Sequence, residues 1–536
     1  MKKRKTNTVL LVFALLTTVS MYSPGVHAIE PKRGGRLVIA TQQDPITMLG
    51  AVSSHLHTHM ISDTMFNGLV RQQWDSPEPL PDLAQRWQIS EDGMTYTFYL
   101  VRNAAWHDGQ PFTAADVKFT FEEVLTKHLP AGKILFGAID RIKTPDSHTV
   151  VFELKYAYAP LMTWLMIKNF ATIVPKHIYA GTDIVKNPHN FKPIGTGPFK
   201  FKEYVKGSHV RVVRNEKYFR KGQPYLDEII IRIIPDWTSM LAAFETGEVD
   251  YLCWGIPRHS LPRLKKLPDV DVDLKVPTGN NALWTRFNLR HAALGNAKVR
   301  QAMAYATDKE EILKKVFHGG GRIAESFINP ANPYSSWAYN PDIPIYEYNP
   351  KKANRMLDEA GFPRNSKGIR FAVRQYTSAS DIEAGKTNEI LREQWRRVGI
   401  DLKAIPLEGT AFPQLVYRNW DFDLAMGFWA FGPDPSLLGL HIHSRQIRKG
   451  LAPGNIMGYR NEKVDALLGK AAAATDVKKR AALYGEISKI LAQDVPVLWF
   501  IFDKKPYAYR DRFVGLPTPA VGINGSYDEI WSKTGK

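Results

Sequence analysis

Two groups of histidines have spacings that could serve metal chemistry. His55, His57 and His59 alternate along the chain, and so do His441 and His443. Imidazole is the commonest metal-ligating side chain. Alternate residues of a strand share one face. If both stretches are strands, the two groups can meet across a cleft, with His55, His57, His441 and His443 as the metal candidates. No cluster of cysteines or carboxylates accompanies them, and loop histidines give the same pattern. No metal is therefore assigned, and no cofactor is expected.

Hydrolytic and nucleotide chemistry have no such foothold. The chain lacks a G-x-S-x-G elbow, an H-E-x-x-H helix and a G-x-x-x-x-G-K-[ST] loop. Asp82, Glu91, Asp92, Asp108 and Asp116 sit where turns, caps and surface explain them, so an enzyme is not expected. A binding wall is easier to find. Gly427-Phe428-Trp429-Ala430-Phe431-Gly432-Pro433-Asp434-Pro435 places three aromatic rings within four residues. Small-molecule clefts are usually lined by such rings. Phe428, Trp429 and Phe431 are the wall candidates, and replacing Trp429 by Ala should weaken binding with the fold intact. Asp434, between two prolines, is placed to shape a turn.

The elements that must hold these residues interleave helix and strand signals throughout, as in α/β architecture. Tyr96, Phe98 and Leu100 alternate as a strand with one buried face. Ile229–Ile234 is a run of apolar β-formers, and Ser239–Glu245 reads as a short helix ending at Gly247. Thr113 and Asp116 form a capping box before a helix running from Asp116 to Leu125, and Thr307 and Glu310 repeat the pattern. Leu391, Trp395 and Val398 recur at helical spacing, as do Leu483, Ile487 and Leu491. Gly195 and Gly197 bracket a tight turn where the backbone takes conformations other residues resist. Cys253, the only cysteine, reads as a small core residue.

Whole words of the chain carry a family resemblance. They run from Gly34-Gly35-Arg36-Leu37-Val38-Ile39-Ala40 through Pro81-Asp82-Leu83-Ala84-Gln85-Arg86-Trp87 and Ser90–Phe98. Trp106-His107-Asp108-Gly109, Phe112–Val117 and the segment Pro193–Tyr251 follow. Val299–Ala306, Tyr348–Ala353 and Phe422–Trp429 complete the series. In type and order they resemble the family 5 extracellular solute-binding proteins, the peptide-, opine- and nickel-binding receptors of ABC importers. The resemblance implies an α/β, bilobal periplasmic-binding-protein (Venus-flytrap) fold with an additional inserted domain. Residues 29–68, 190–278 and 503–536 would build lobe I, 69–189 the inserted domain and 279–502 lobe II. The hinges would lie near Pro277-Thr278-Gly279 and Phe502-Asp503.

The same resemblance locates a site. In the peptide-binding branch an aspartate after the Gly-aromatic block pairs with the ligand's amino group, because a buried ammonium needs a counter-charge. Phe431 occupies that position here and Asp434 lies three residues on, which puts ordinary dipeptide recognition in doubt. The carboxylate-binding arginine falls near Lys386, a point charge without the bidentate fork, with Arg374 as the alternative. Asn280, Asn281 and Trp284 follow the first crossing, and Ser54, His55 and Leu56 face the cleft from lobe I. The expected activity is capture of a peptide or amino-acid-derived, opine-like solute by lobe closure. The expected partners are a permease and its ATPase on other chains; a metal chelate or a sugar conjugate is the alternative ligand.

Address and charge fit this picture. Lys2, Lys3, Arg4 and Lys5, an apolar stretch Val9–Val19 and Val26-His27-Ala28 read as a secretory signal peptide over residues 1–28. No cysteine follows it to carry a lipid, so a freely diffusing periplasmic monomer is expected. The net charge is +18, of which those four residues carry four, leaving +14. An anionic ligand or an acidic permease patch suits this better than nucleic acid, since the basic residues are dispersed.

Overall fold

The computed structural model describes residues 30–73, 76–130, 132–253, 255–273, 281–430, 432–450, 452–517 and 525–535. The signal-peptide residues 1–28, Asn280, Phe431 and the hinge candidate Pro277-Thr278-Gly279 lie outside the described residues. In chain order the strands begin with β1 (Arg36–Thr41), β2 (Val70–Gln73), β3 (Ser76–Pro81), β4 (Ala84–Ile89) and β5 (Thr95–Leu100). Next come β6 (Ile139–Asp146), β7 (Thr149–Leu154), β8 (Phe199–Val205), β9 (His209–Arg214), β10 (Glu228–Ile233), β11 (Tyr251–Leu252) and β12 (Val270–Asp273). The second half contributes β13 (Asn281–Phe287), β14 (Gly321–Ile323), β15 (Phe371–Ser378), β16 (Ile400–Leu407), β17 (Leu424–Ala430), β18 (Val497–Asp503) and β19 (Tyr507–Arg510).

Three larger sheets organise the chain among the described residues. One has the order β12-β19-β11-β1-β10-β9-β8, a second β14-β18-β13-β17-β15-β16, and a third β4-β5-β7-β6. Lobe I and lobe II denote the parts of the chain built around the first and second sheets; the third sheet is wholly antiparallel. In the first, β1 runs parallel to both β10 and β11. In the second, β15 is parallel to β16 and β17, while β13 is antiparallel to β17 and β18. The residue patterns explain these placements. Tyr96, Phe98 and Leu100 are buried alternately, and so are Ile229, Ile231 and Ile233. Strand β18, Val-Leu-Trp-Phe-Ile-Phe-Asp, is buried on both faces, as a continuous apolar run requires.

Helices cover the sheets with the expected stripes. Leu391, Trp395 and Val398 have no exposed surface, and the helix Ile382–Arg397 presents the first two. The Trp395 indole N–H donates to Thr307 Oγ1 at 3.0 Å. The Thr113–Asp116 capping box is present, but the helix behind it is Ala114–Phe119, continuing as a wider π-turn over Thr120–Leu125. In place of the second capping box there is a simple N-cap one residue on. Asp308 is the N-cap, accepting from the Glu311 N–H, because Thr307 donates back to the Met303 carbonyl and closes the preceding helix.

The glycine pair also has a different cause from the expected one. Neither Gly195 nor Gly197 has a positive φ. A Cβ on Gly195 would lie 1.8 Å from the Met65 carbonyl oxygen, and one on Gly197 2.3 Å from the Met65 carbonyl carbon. Close backbone approach excludes a side chain there. Cys253 is buried, its thiol 3.8 Å from Met60 Sδ and pushed up by burial.

Candidate functional site

The chain passes from the first sheet to the second between Asp273 and Asn281, and returns between Asp503 and Tyr507. The carboxyl ends of β1, β10 and β11 therefore point toward the carboxyl ends of β15, β16, β17 and β18. Open α/β sheets bind ligands in the crevice outside the carboxyl ends of their strands. This junction is the candidate site.

Lobe I brings Thr41, the last residue of β1, and the start of the helix Leu56–Met65. The three histidines sit on this helix and its N-cap, not on a strand. His55 and His59 are four apart and share a face, and His57 is turned away from it. His57 Nδ1 meets Thr41 Oγ1 at 2.5 Å, and His55 Nε2 meets Gln43 Oε1 at 3.1 Å. Their rings are 5.1 Å apart. Burial, then the neighbouring His55, lowers His57 to about 4, so it is neutral at ordinary pH. Ser54 and Leu56 are exposed at this rim, while His59 is buried.

Lobe II brings the first residue of β13, Asn281, paired with Ala430 at the end of β17. Phe428, half-buried, has its ring 6.2 Å from Phe317 and 5.7 Å from the Lys505 ammonium. Lys505 lies on the return crossing, with its stem against Gly255 of lobe I. Lys386 is exposed in the second turn of the helix Ile382–Arg397. Asp381 stands at the N-cap of that helix, yet its side chain makes no capping hydrogen bond. One of its carboxylate oxygens instead lies 3.7 Å from where Gly427 would carry a Cβ. Sequence reasoning missed Asp381, because an aspartate before a helical stripe reads as a cap.

Other candidates lie elsewhere. Phe428 and Trp429 are consecutive on β17 and point to opposite faces, so they do not form one wall. Trp429 packs in the core face with Trp284 and His441, the imidazole ring lying 4.6 Å from Trp429 and 5.1 Å from Trp284. His441 has no exposed surface, and burial, then Arg286, holds it well below the usual imidazole range. His443 Nδ1 faces Asp465 at 3.2 Å. The two histidine groups thus do not converge, and no group of three or more His, Cys, Asp and Glu side chains is placed to hold a metal ion among the described residues. Asp434 is 2% exposed, caps the turn through the Ser436 N–H, and holds Arg480 through both oxygens at 3.0 Å. Arg374 is bound to Asp421 and Asp423. Its neighbour Gln375 pairs with Leu424, at the far end of β17 from Ala430. Six residues of strand, about 20 Å, separate those ends.

One further residue ties the lobes together. Arg258, between β11 and β12, donates to the Asp503 carboxylate, to the Gly320 carbonyl at 3.0 Å and to the Lys504 carbonyl at 3.0 Å. Lobe I thereby holds the return crossing and the β14 edge of lobe II.

Residues 78–445 match the family described as bacterial extracellular solute-binding proteins, family 5. This chain belongs to that family. It is 29% identical over 542 residues to the oligopeptide-binding protein AppA of Bacillus subtilis, covering 96% of each chain. Two solved structures extend the likeness to this family 5 fold. NikZ from Campylobacter jejuni, in complex with Ni(L-His), superposes with a TM-score of 0.79 at 26% identity, over 92% of this chain and 97% of that one. DppA from Helicobacter pylori, in complex with the peptide STSA, gives 0.79 at 26% identity, over 94% and 99%. The bilobal architecture with an extra domain, expected from the sequence, is the architecture of these family 5 proteins.

Proposed function

We propose that this chain is the solute receptor of an ABC importer. It captures a peptide or amino-acid-derived solute between its lobes and presents the closed form to a permease. The observation that carries the reading is the meeting of two sets of carboxyl strand ends at two chain crossings. Similarity to an oligopeptide-binding protein and to a peptide-bound DppA supports the ligand class. Ser54, His55 and Leu56 from lobe I, and Asn281, Lys386 and Phe428 from lobe II, line the proposed site. The lobes divide as 29–68, 190–278 and 503–536 against 279–502, with 69–189 inserted. The protein works as a monomer in the periplasm after removal of residues 1–28, catalyses no reaction, and leaves ATP hydrolysis to another chain.

A ligand that touches both lobes only when they are closed draws the population to the closed state. A shift from 1:99 to 99:1 takes roughly 5.5 kcal/mol of preference for that state. The test is a thermal-stability screen of residues 29–536, unfolded and refolded to remove carried-over solute. Peptides, opines, sugars and nickel with or without histidine are the probes. A solute that binds only the folded form adds about 2.7 kcal/mol at a hundredfold excess over Kd. Stabilisation by peptides or opines is the expected result, and silence toward both classes sinks the ligand assignment.

A nickel–histidine chelate is the second reading. It is favoured by the adjacent His55 and His57 rings at the rim and by likeness to NikZ, solved with Ni(L-His). Stabilisation by nickel and histidine, abolished by a chelator, would select it.

A further inference from the structure

The lobe II rim holds a carboxylate with no partner of its own. Asp381 makes no side-chain hydrogen bond and no ion pair among the described residues. It stands at the start of a sixteen-residue helix, where a carboxylate ordinarily caps the free N–H groups. It leaves that role open and lies over Gly427, the residue before Phe428. Its nearer carboxylate oxygen stands 3.7 Å from the position a Cβ on Gly427 would take, an ordinary contact distance. Asp381 follows the carboxyl end of β15, its N–H held by the Ser378 carbonyl at 3.0 Å, so backbone fixes its place at the junction.

The surroundings favour an incoming cation. Burial lifts the Asp381 carboxyl above its ordinary range, the Lys505 charge opposes that rise, and Glu383 adds to it. Lys505 is within reach to act on Asp381 but forms no ion pair with it, and it is exposed on the crossing. Asp503, a further acid of the junction, is already held by Arg258. A partly buried carboxylate gains most when a charged donor replaces lost water.

We propose that Asp381 receives the protonated amine of the captured solute. This rests on the junction being the capture site. The ligand class that follows is a peptide or amino-acid derivative with a free amine, held through a carboxylate on the helix Ile382–Arg397 and not through the Gly-aromatic block.

The experiment is a retention assay. Refolded protein, wild type and Asp381→Asn, is offered a peptic digest of casein, half of it acetylated so that its amines carry no charge. Retained peptides are quantified by mass spectrometry. Wild type should enrich each free-amine peptide about tenfold or more over its acetylated form, the size of one charge-assisted hydrogen bond. Asp381→Asn should bring that ratio close to one, and Asp381→Glu, which keeps the charge, should restore part of it. Equal retention of both forms by wild type, or undiminished discrimination by Asp381→Asn, overturns the inference while leaving the receptor reading intact. A wild type that retains no peptide of either kind overturns the peptide reading and this inference together.

Discussion

His107 shows how one side chain can join two distant words of the sequence. Its Nε2 is 3.1 Å from the Gly197 carbonyl, and its Nδ1 accepts from the Gly195 N–H at 3.1 Å. Only a neutral ring, with its proton on Nε2, satisfies both contacts. Burial lowers its pKa from 6.5 to about 4; the Gly197 hydrogen bond works against that shift, and Lys200 works with it. The stabilisation is complete above the unfolded value of 6.5 and is lost as pH falls through about 4. The ceiling is about 3 kcal/mol, lowered by solvent screening at a half-buried ring. His57 and His59, both lowered to about 4, act in the same direction. Urea denaturation at pH 7 and pH 4.5 should show wild type losing stability on acidification. His107→Asn should lose less across that interval, and an unchanged pH slope would remove His107 from this role.

At the scale of the element, strand β17 assigns different work to consecutive residues. Trp429 faces the core with His441, and Phe428 faces the other side with Phe317 and Lys505. Trp429→Ala should therefore lower stability by about 2 kcal/mol, below the range for a fully buried tryptophan. This revises the expectation that it would spare the fold and weaken binding. Phe428→Ala should cost less stability and weaken solute affinity more. Denaturation midpoints and solute-induced thermal shifts for the two variants separate these outcomes; the reverse ranking would mean that the strand presents Trp429 to the solute.

For the whole molecule, the junction between lobes depends on a buried ion pair. Burial raises the Asp503 carboxyl, and Arg258 is the largest influence opposing that rise. Removing one partner of a buried pair typically costs about 3–5 kcal/mol, because the other charge is left uncompensated. Arg258→Met should destabilise on that scale and loosen the β14 edge. The double variant Arg258→Met/Asp503→Asn should recover part of the loss. Denaturation curves with X-ray scattering on each variant would check this. A single variant as stable as wild type, with unchanged dimensions, would show that the pair does not hold the junction. The segment after β7 also touches lobe II, where the Ala159 N–H donates to the Ala472 carbonyl at 2.9 Å.

The sequence by itself determined the fold family, the alternating strands and the helical stripes. The strands and stripes follow from spacings of two to four residues, which set the exposed and buried faces of an element wherever it packs; the family rests on the resemblance of whole words in order. It also brought out the Thr113–Asp116 capping box, a contact within one turn. The site was legible only in part. Ser54, His55, Leu56, Asn281, Lys386 and Phe428 are carried from the sequence into the proposed site, whereas Arg374 and Asp434 are engaged by other charges. Tertiary structure alone decided which carboxylates were spent and which were left. Asp434 meets Arg480 from 46 residues away, and Asp503 meets Arg258 from 245 away. Asp381 is left over because its carboxylate turns from its own helix toward Gly427. Charge pairing depends on distance through space, and that distance is set only when the sheets of both lobes have packed.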